Sequence, residues 1–295
     1  GNRFFRPRRL KRYRLRRVKN IRPRFLQISN YVGSSIYYAL GIVALVAMGA
    51  TPIALGIAGI LFSFTALTYA EGTAMFPEAG GSASFARHGF NNLVGFIAGW
   101  ALMLSYIVTI SISAFTIPPY LGYFWAPLKD SPIIGTATTM GIIVFLMIIN
   151  VIGVRETSIL NLGAALLDLL TQVSLVILGF LFLFNIQTLR LNVMDCWPTT
   201  GNLVLGIALA SIAYTGVETM SQMAQETRHP EVRVPRAPIL MVGTVLVIFA
   251  GISIVSLLAM TPAQLATDWA RDPVAGIAGS LPVEWLRNLF KPLVA

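Results

Sequence analysis

The sequence has 295 residues, of which 56% are hydrophobic and only 12% charged, against about 25% charged in an ordinary soluble domain. That balance excludes a soluble globular domain and describes a chain that crosses a membrane repeatedly. The net charge of +10 does not describe a nucleic-acid-binding face, because 12 of the 22 lysines and arginines lie before residue 25; a single cysteine leaves no disulfide framework, and two histidines without a thiol or carboxylate cluster give no metal-ligand spacing and imply no cofactor.

Residues 1–26 form a basic tail in which the twelve cations alternate with Phe4, Phe5, Leu10, Tyr13, Leu15 and Val18. Two readings stay open: a helix or regulatory arm on anionic lipid headgroups, and a solvated tail that only sets topology. The chain begins with Gly rather than Met, and its first apolar run is too long for a cleavable signal, so the natural start is taken to lie upstream. Seven apolar runs follow, at 27–50, 52–75, 93–125, 134–152, 156–184, 201–226 and 236–260, each near or above the roughly 20 residues of a helical span. The expectation is an all-α membrane protein of about seven transmembrane helices. With a cytoplasmic N-terminus, 17 basic residues fall inside and 5 outside, as the positive-inside rule requires of a protein in the plasma (inner) membrane. Residues 261–295 are then outside; Thr261-Pro262 ends the seventh run, and Leu281 to Leu286 reads as the start of a further helix, so a continuation into an eighth span is expected.

The first run contains Gly33-Ser34-Ser35-Ile36-Tyr37-Tyr38-Ala39-Leu40-Gly41. Glycine and serine weaken helix propensity, so this run is expected to open in its middle, where freed backbone groups can hold a polar solute or ion. The second run ends in Tyr69-Ala70-Glu71-Gly72, followed by Pro77 and the Gly80-Gly81 pair, which break the helix. Ser105 and Tyr106 stand near the middle of the third run, lining a cavity or joining helices. In the fifth run Asp168 stands among leucines, with Asn161, Ala164, Ala165, Thr171 and Gln172 at three, four or seven residues, which puts them on one helix face. A mid-span aspartate costs about 2.5–3.5 kcal/mol on insertion scales, so it should face the bundle interior with a partner or a proton. The sixth run is interrupted at Tyr214-Thr215-Gly216, and Glu218 lies just beyond.

Three blocks carry a resemblance. Gly33-Ser34-Ser35-Ile36 resembles the Gly-Ser-Gly-Ile-Phe type turn of the amino acid–polyamine–organocation (APC) superfamily of secondary transporters. Tyr69-Ala70-Glu71 through Phe76-Pro77-Glu78-Ala79-Gly80-Gly81-Ser82, then Gly99-Trp100, resembles that superfamily's block after the second span. Ala213 to Glu218, with Glu226 to Pro230 and Val234 to Ala237, resembles its sixth-span signature. The resemblance implies a LeuT-like fold of two inverted five-span repeats, with residues 27–184 as the first repeat, 185–260 as two spans of the second, and 261–295 leading to a missing eighth span. It also implies that the breaks at Gly33–Ser35 and Tyr214–Gly216 face one another, their half-helix N-termini suited to a carboxylate. Two departures stand out. Ser35 replaces the second glycine of the turn, and Asp168 falls where several proton-coupled members carry a lysine.

The expected function is therefore a permease for an amino acid or related amine, coupled to a proton or monovalent cation and working by alternating access; it is not an enzyme. Gly33, Ser34, Ser35 and Ile36 are the expected carboxylate site, Tyr37, Tyr106, Tyr214, Thr215 and Gly216 the side-chain pocket, Asp168 the coupling or amine-binding group, Glu218 a latch and Glu71 a gate or packing acid. A potassium-importing branch of the superfamily is the alternative: its two tyrosines are met by Tyr37 and Tyr106, while its two acids are replaced by Asn30 and Ser105. A transport-inactive membrane scaffold or sensor is the rival from a different class.

Overall fold

Hydrocarbon offers a backbone amide no water to bond, so long apolar runs resolve into helices. The computed structural model describes residues 35–76, 78, 80–152, 154–216, 218, 221 and 236–294, and every apolar run yields a helix there. In chain order these are α1 (Ile36–Ala47), α2 (Thr51–Met75), α3 (Ser82–Gly89), α4 (Asn92–Leu121), α5 (Pro127–Asp130), α6 (Pro132–Ile152), α7 (Val154–Leu183), α8 (Ile186–Met194), α9 (Thr200–Ala210), α10 (Arg236–Ala259), α11 (Pro262–Thr267), α12 (Pro273–Gly279) and α13 (Glu284–Val294). No strand occurs among the described residues.

Among the described residues, five stretches are long and apolar enough to cross a membrane, and the first of these, Ile36–Met75, is folded in two. Its 40 residues contain a tight turn at Met48–Ala50, where Met48 takes a φ of 45° and α1 comes back against α2. A non-glycine residue with positive φ is uncommon and holds only where its surroundings enforce it. Here the enforcement is visible: the Gly49 N–H donates to the Cys196 carbonyl at 3.0 Å, and Thr51 Oγ1 donates to the Met48 carbonyl at 2.6 Å.

The interior is built from α1, α2, α9 and α10, with Ile36, Leu40, Leu55, Phe249 and Ile252 buried together. α4 and α6 stand outside it and expose apolar faces, Phe96, Trp100 and Ile107 on one and Phe145, Leu146 and Ile148 on the other. That is the surface hydrocarbon requires. α7 bridges the two layers, packing on α10 and on α6.

The short segments gather at one end of the bundle, where α5, α8, α11 and α12 form a cap. Asn192 on α8 donates to the Leu257 carbonyl at 2.7 Å, Lys129 on α5 pairs with Asp272 at 2.6 Å, and α11 lies on α1. α11 itself starts with a capping box, Thr261 and Gln264 exchanging side chain and backbone bonds, with Pro262 in the first turn. The closest approach is between Gly41 of α1 and the Ala270 carbonyl, which leaves no room for a Cβ at position 41. Gly41→Ala should accordingly destabilise the protein by about 1–3 kcal/mol, the usual range for overpacking, read as a lower midpoint of thermal unfolding in detergent. An unchanged midpoint would mean that the cap does not sit on α1.

Candidate functional site

α1 begins at the first residues that the structure describes. Gly33 and Ser34 lie outside the described residues, as do Asn30, Pro77, Ala79, His229 and the whole basic tail. Ser35 is buried and its carbonyl accepts from Ala39 N–H at 2.9 Å, opening the helix. The Ile36 side chain is fully buried in the apolar core, so only its backbone remains for a polar ligand. The Tyr37 side chain lies beside the Asp168 carboxylate.

Asp168 sits on the face of α7 that turns inward. One turn on, Gln172 donates from Nε2 to Asp168 Oδ1 at 2.9 Å, and Thr171 and Gln172 are buried while Ala164 is exposed. The polar stripe is therefore real over Asp168, Thr171 and Gln172; the Asn161 side chain is not described. Gln172 donates to the carboxylate with the Tyr37 side chain beside it, and the fully buried Gln172 keeps its Oε1 without a hydrogen-bond partner. A carboxylate and an amide oxygen side by side form an acceptor-rich spot that suits a proton, an ammonium group or a cation.

The sixth run opens where the sequence placed its interruption. α9 tightens into a 3-10 turn over Ser211–Tyr214, Thr215 is extended at φ −61° and ψ 147°, and Gly216 takes φ +108°. Only glycine visits that region without strain, so the turn needs Gly216. The Gly216 N–H, freed from the helix, donates to Glu218 Oε2 at 3.1 Å, and the Glu218 carbonyl accepts from Ser221 Oγ at 2.6 Å. The 3-10 turn lies against α1, so α1 and the sixth-run break adjoin.

Tyr214 is placed differently from a pocket-lining side chain. It is buried, its hydroxyl donates to the Leu55 carbonyl of α2 at 2.9 Å, and its ring stacks on Phe62 and tilts against Phe249. Gly59 makes room for it: a Cβ there would stand 2.6 Å from the Tyr214 oxygen. Tyr106 is half-buried on α4, and Glu71 is exposed near the end of α2. Beside it, Glu78 accepts from Ser84 and Arg87 at 2.9 and 3.2 Å, tying the loop after α2 to α3.

The side chains that sequence reasoning passes over lie at the cap. Tyr120, buried at the end of α4, donates to the Tyr37 carbonyl at 2.8 Å and accepts from the Val274 N–H of α12 at 3.4 Å. Its ring meets that of Tyr37 edge to face, centroids 5.4 Å apart. Nearby, Lys129 lies 5.1 Å from the Trp269 ring centre while it pairs with Asp272. The only local signal for these groups is the end of an apolar run at Pro118-Pro119-Tyr120 and the dipeptide Asp272-Pro273.

The chain is similar in sequence to known transporters over most of its length. Residues 24–295 match the family described as amino acid permease. The chain is 25% identical over 282 residues to the glutamate/serine transporter AimA of Bacillus subtilis, covering 88% of this chain and 51% of that protein. It is 24% identical over 263 residues to the inner membrane transport protein YbaT of Escherichia coli, covering 85% and 59%. With the branched-chain amino acid permease BcaP of Bacillus subtilis it shares 23% identity over 281 residues, covering 90% and 59%. The chain thus spans between one half and three fifths of the length of these curated relatives.

The cap ion pair has a distinctive pH dependence. Burial pushes the Asp272 carboxyl up from its ordinary range, and the hydrogen bond and charge of Lys129 oppose that without overcoming it. A carboxyl raised on folding takes up a proton as the chain folds. Its contribution is full below the ordinary carboxylate range and is lost as pH rises through the folded value. The thermal midpoint of the wild type relative to Asp272→Asn should therefore fall as pH rises above the ordinary carboxylate range of about 4; a gap that widens with pH would reverse the sign.

Proposed function

The chain belongs to the amino acid permease family, and from that premise we propose that it is the substrate-binding part of a secondary transporter for an amino acid or related amine. The observation that carries this reading is the 3-10 turn Ser211–Tyr214, just before the opened backbone at Thr215–Gly216, lying against α1, with Asp168 and Gln172 beside Tyr37 of α1. Broken helices at membrane depth place free amides and carbonyls where a solute can use them, and a helix N-terminus favours a carboxylate.

In this reading the backbone of Gly33 to Ile36 with Ser34 and Ser35 receives a substrate carboxylate, while Tyr37, Tyr106, Thr215 and Gly216 shape the space beside it. The main-chain turn at Tyr214 belongs to the site, while its side chain anchors the half-helix to α2. Asp168 binds the coupling proton or cation or the substrate amine. Glu218 latches the opened segment, and Glu71 gates the opposite end. The basic tail lies on the cytoplasmic side against anionic headgroups, so that the cap faces outside, and transport proceeds by alternating access. Potassium import is the second reading; it is favoured only by Tyr37 and Tyr106 and lacks the two acids of that pattern at Asn30 and Ser105.

Uptake of labelled amino acids and amines by proteoliposomes holding the full-length protein tests the proposal. Saturable uptake of an organic solute supports it, whereas rubidium uptake with no organic substrate supports the potassium reading. No saturable flux of either kind leaves a scaffold. Asp168→Asn should abolish uptake driven by a pH gradient while solute exchange persists, and unchanged pH dependence would remove Asp168 from coupling. Substrates with an amidated carboxylate should compete at least about tenfold more weakly, the order expected for losing a charge-assisted hydrogen bond; equal competition would move the carboxylate away from α1.

A further inference from the structure

The cap helix α12 has an unusual N-terminus. Asp272 stands at its N-cap position but makes no side-chain cap bond, because its carboxylate is turned to Lys129 at 2.6 Å. Pro273 follows and has no N–H to satisfy. The Val274 N–H is the next first-turn amide, and such amides need an acceptor from outside the helix. The acceptor is Tyr120, which reaches it from the end of α4 across 154 positions of sequence. Its hydroxyl proton is meanwhile given to the Tyr37 carbonyl at 2.8 Å. A phenol has one proton to donate and lone pairs to accept with, so one hydroxyl serves both contacts.

Tyr37 in turn places its side chain on Asp168. A continuous line of contacts thus runs from the mid-span carboxylate through Tyr37 to Tyr120, and from Tyr120 into the first turn of the cap helix beside the Lys129–Asp272 pair. We infer that Tyr120 is a positioning residue that couples the occupancy of Asp168 to closure of the cap: its hydroxyl supplies the missing N-terminal cap of α12 while it fixes the backbone of Tyr37. The inference rests on the transporter reading for its biological use but not for its test. Any movement of Tyr37 away from or toward Asp168 shifts the carbonyl that orients the Tyr120 hydroxyl, and so changes how well Val274 N–H is held. When the cap lifts, the same hydroxyl loses its acceptor role, and Tyr37 is released from the end of α4.

The coupling is read by amide hydrogen exchange across residues 270–280 of the full-length protein in detergent or nanodiscs. Tyr120→Phe keeps the ring and removes both hydrogen bonds, and should raise exchange in this segment about tenfold, the order expected for exposing one buried amide. Asp168→Ala, which touches nothing in the cap, should raise it in the same segment, and the double variant should exchange no faster than Tyr120→Phe alone, because both act through one chain of contacts. If Tyr120→Phe raises exchange and Asp168→Ala does not, Tyr120 is a structural cap only and the coupling is overturned. If Tyr120→Phe leaves exchange unchanged, the capping role itself is overturned. Should Tyr120→Phe fail to fold, Asp168→Ala against the wild type still decides, since a cap indifferent to Asp168 refutes the coupling. Uptake is measured separately: a cap that answers to Asp168 in a protein that moves no solute would sink the transporter reading and leave this inference standing.

Discussion

A helix interrupted at membrane depth has no water to complete its hydrogen bonds, and the arrangement of this chain follows from where it finds substitutes. At the sixth-run break the substitute is Glu218, whose carboxylate takes the Gly216 amide while its own carbonyl takes Ser221. At the turn between α1 and α2 it is the Cys196 carbonyl, offered by the segment after α8. At the start of α12 it is a phenol from α4. The break in the sixth run is thus satisfied from within its own segment, whereas the turn after α1 and the start of α12 are satisfied by elements far away in sequence.

The cap owes its closure to neutral contacts more than to charge. Lys129 and Asp272 form its conspicuous ion pair, yet burial of the carboxyl outweighs what the lysine returns. This is the general weakness of desolvated pairs: the attraction repays a solvation loss of similar size. What holds the cap is the seating of Ala270 on Gly41, the bonds of Asn192 to the end of α10 and the Tyr120 bridge.

Much of this was legible in the sequence, and the boundary of legibility is physical. The apolar runs, the break at Thr215–Gly216 and the placing of Asp168 with Thr171 and Gln172 on one face depend on residues close in the chain, where helical periodicity and glycine chemistry speak directly. α8 was not foreseen, because its nine residues carry too little apolar pattern to stand out from a loop. Tyr120 and Asp272 were passed over for a different reason. Their roles come from partners 83 and 154 positions away for the tyrosine and 143 for the aspartate, and no local pattern announces such pairings. Tyr214 shows the opposite case: its position at the break was readable, but the direction of its side chain depends on the gap left by Gly59.

That gap has a mechanical meaning. With its hydroxyl set on the Leu55 carbonyl and its ring between Phe62 and Phe249, Tyr214 rivets the end of the 200–214 segment to α2 and α10. The half of the sixth run before the break is thereby fastened to α2 and α10, and it also packs along α1. A rotation between its two halves would find its pivot at Thr215 and Gly216, where the backbone is extended and then left-handed, with the bond from Gly216 to Glu218 spanning the turn.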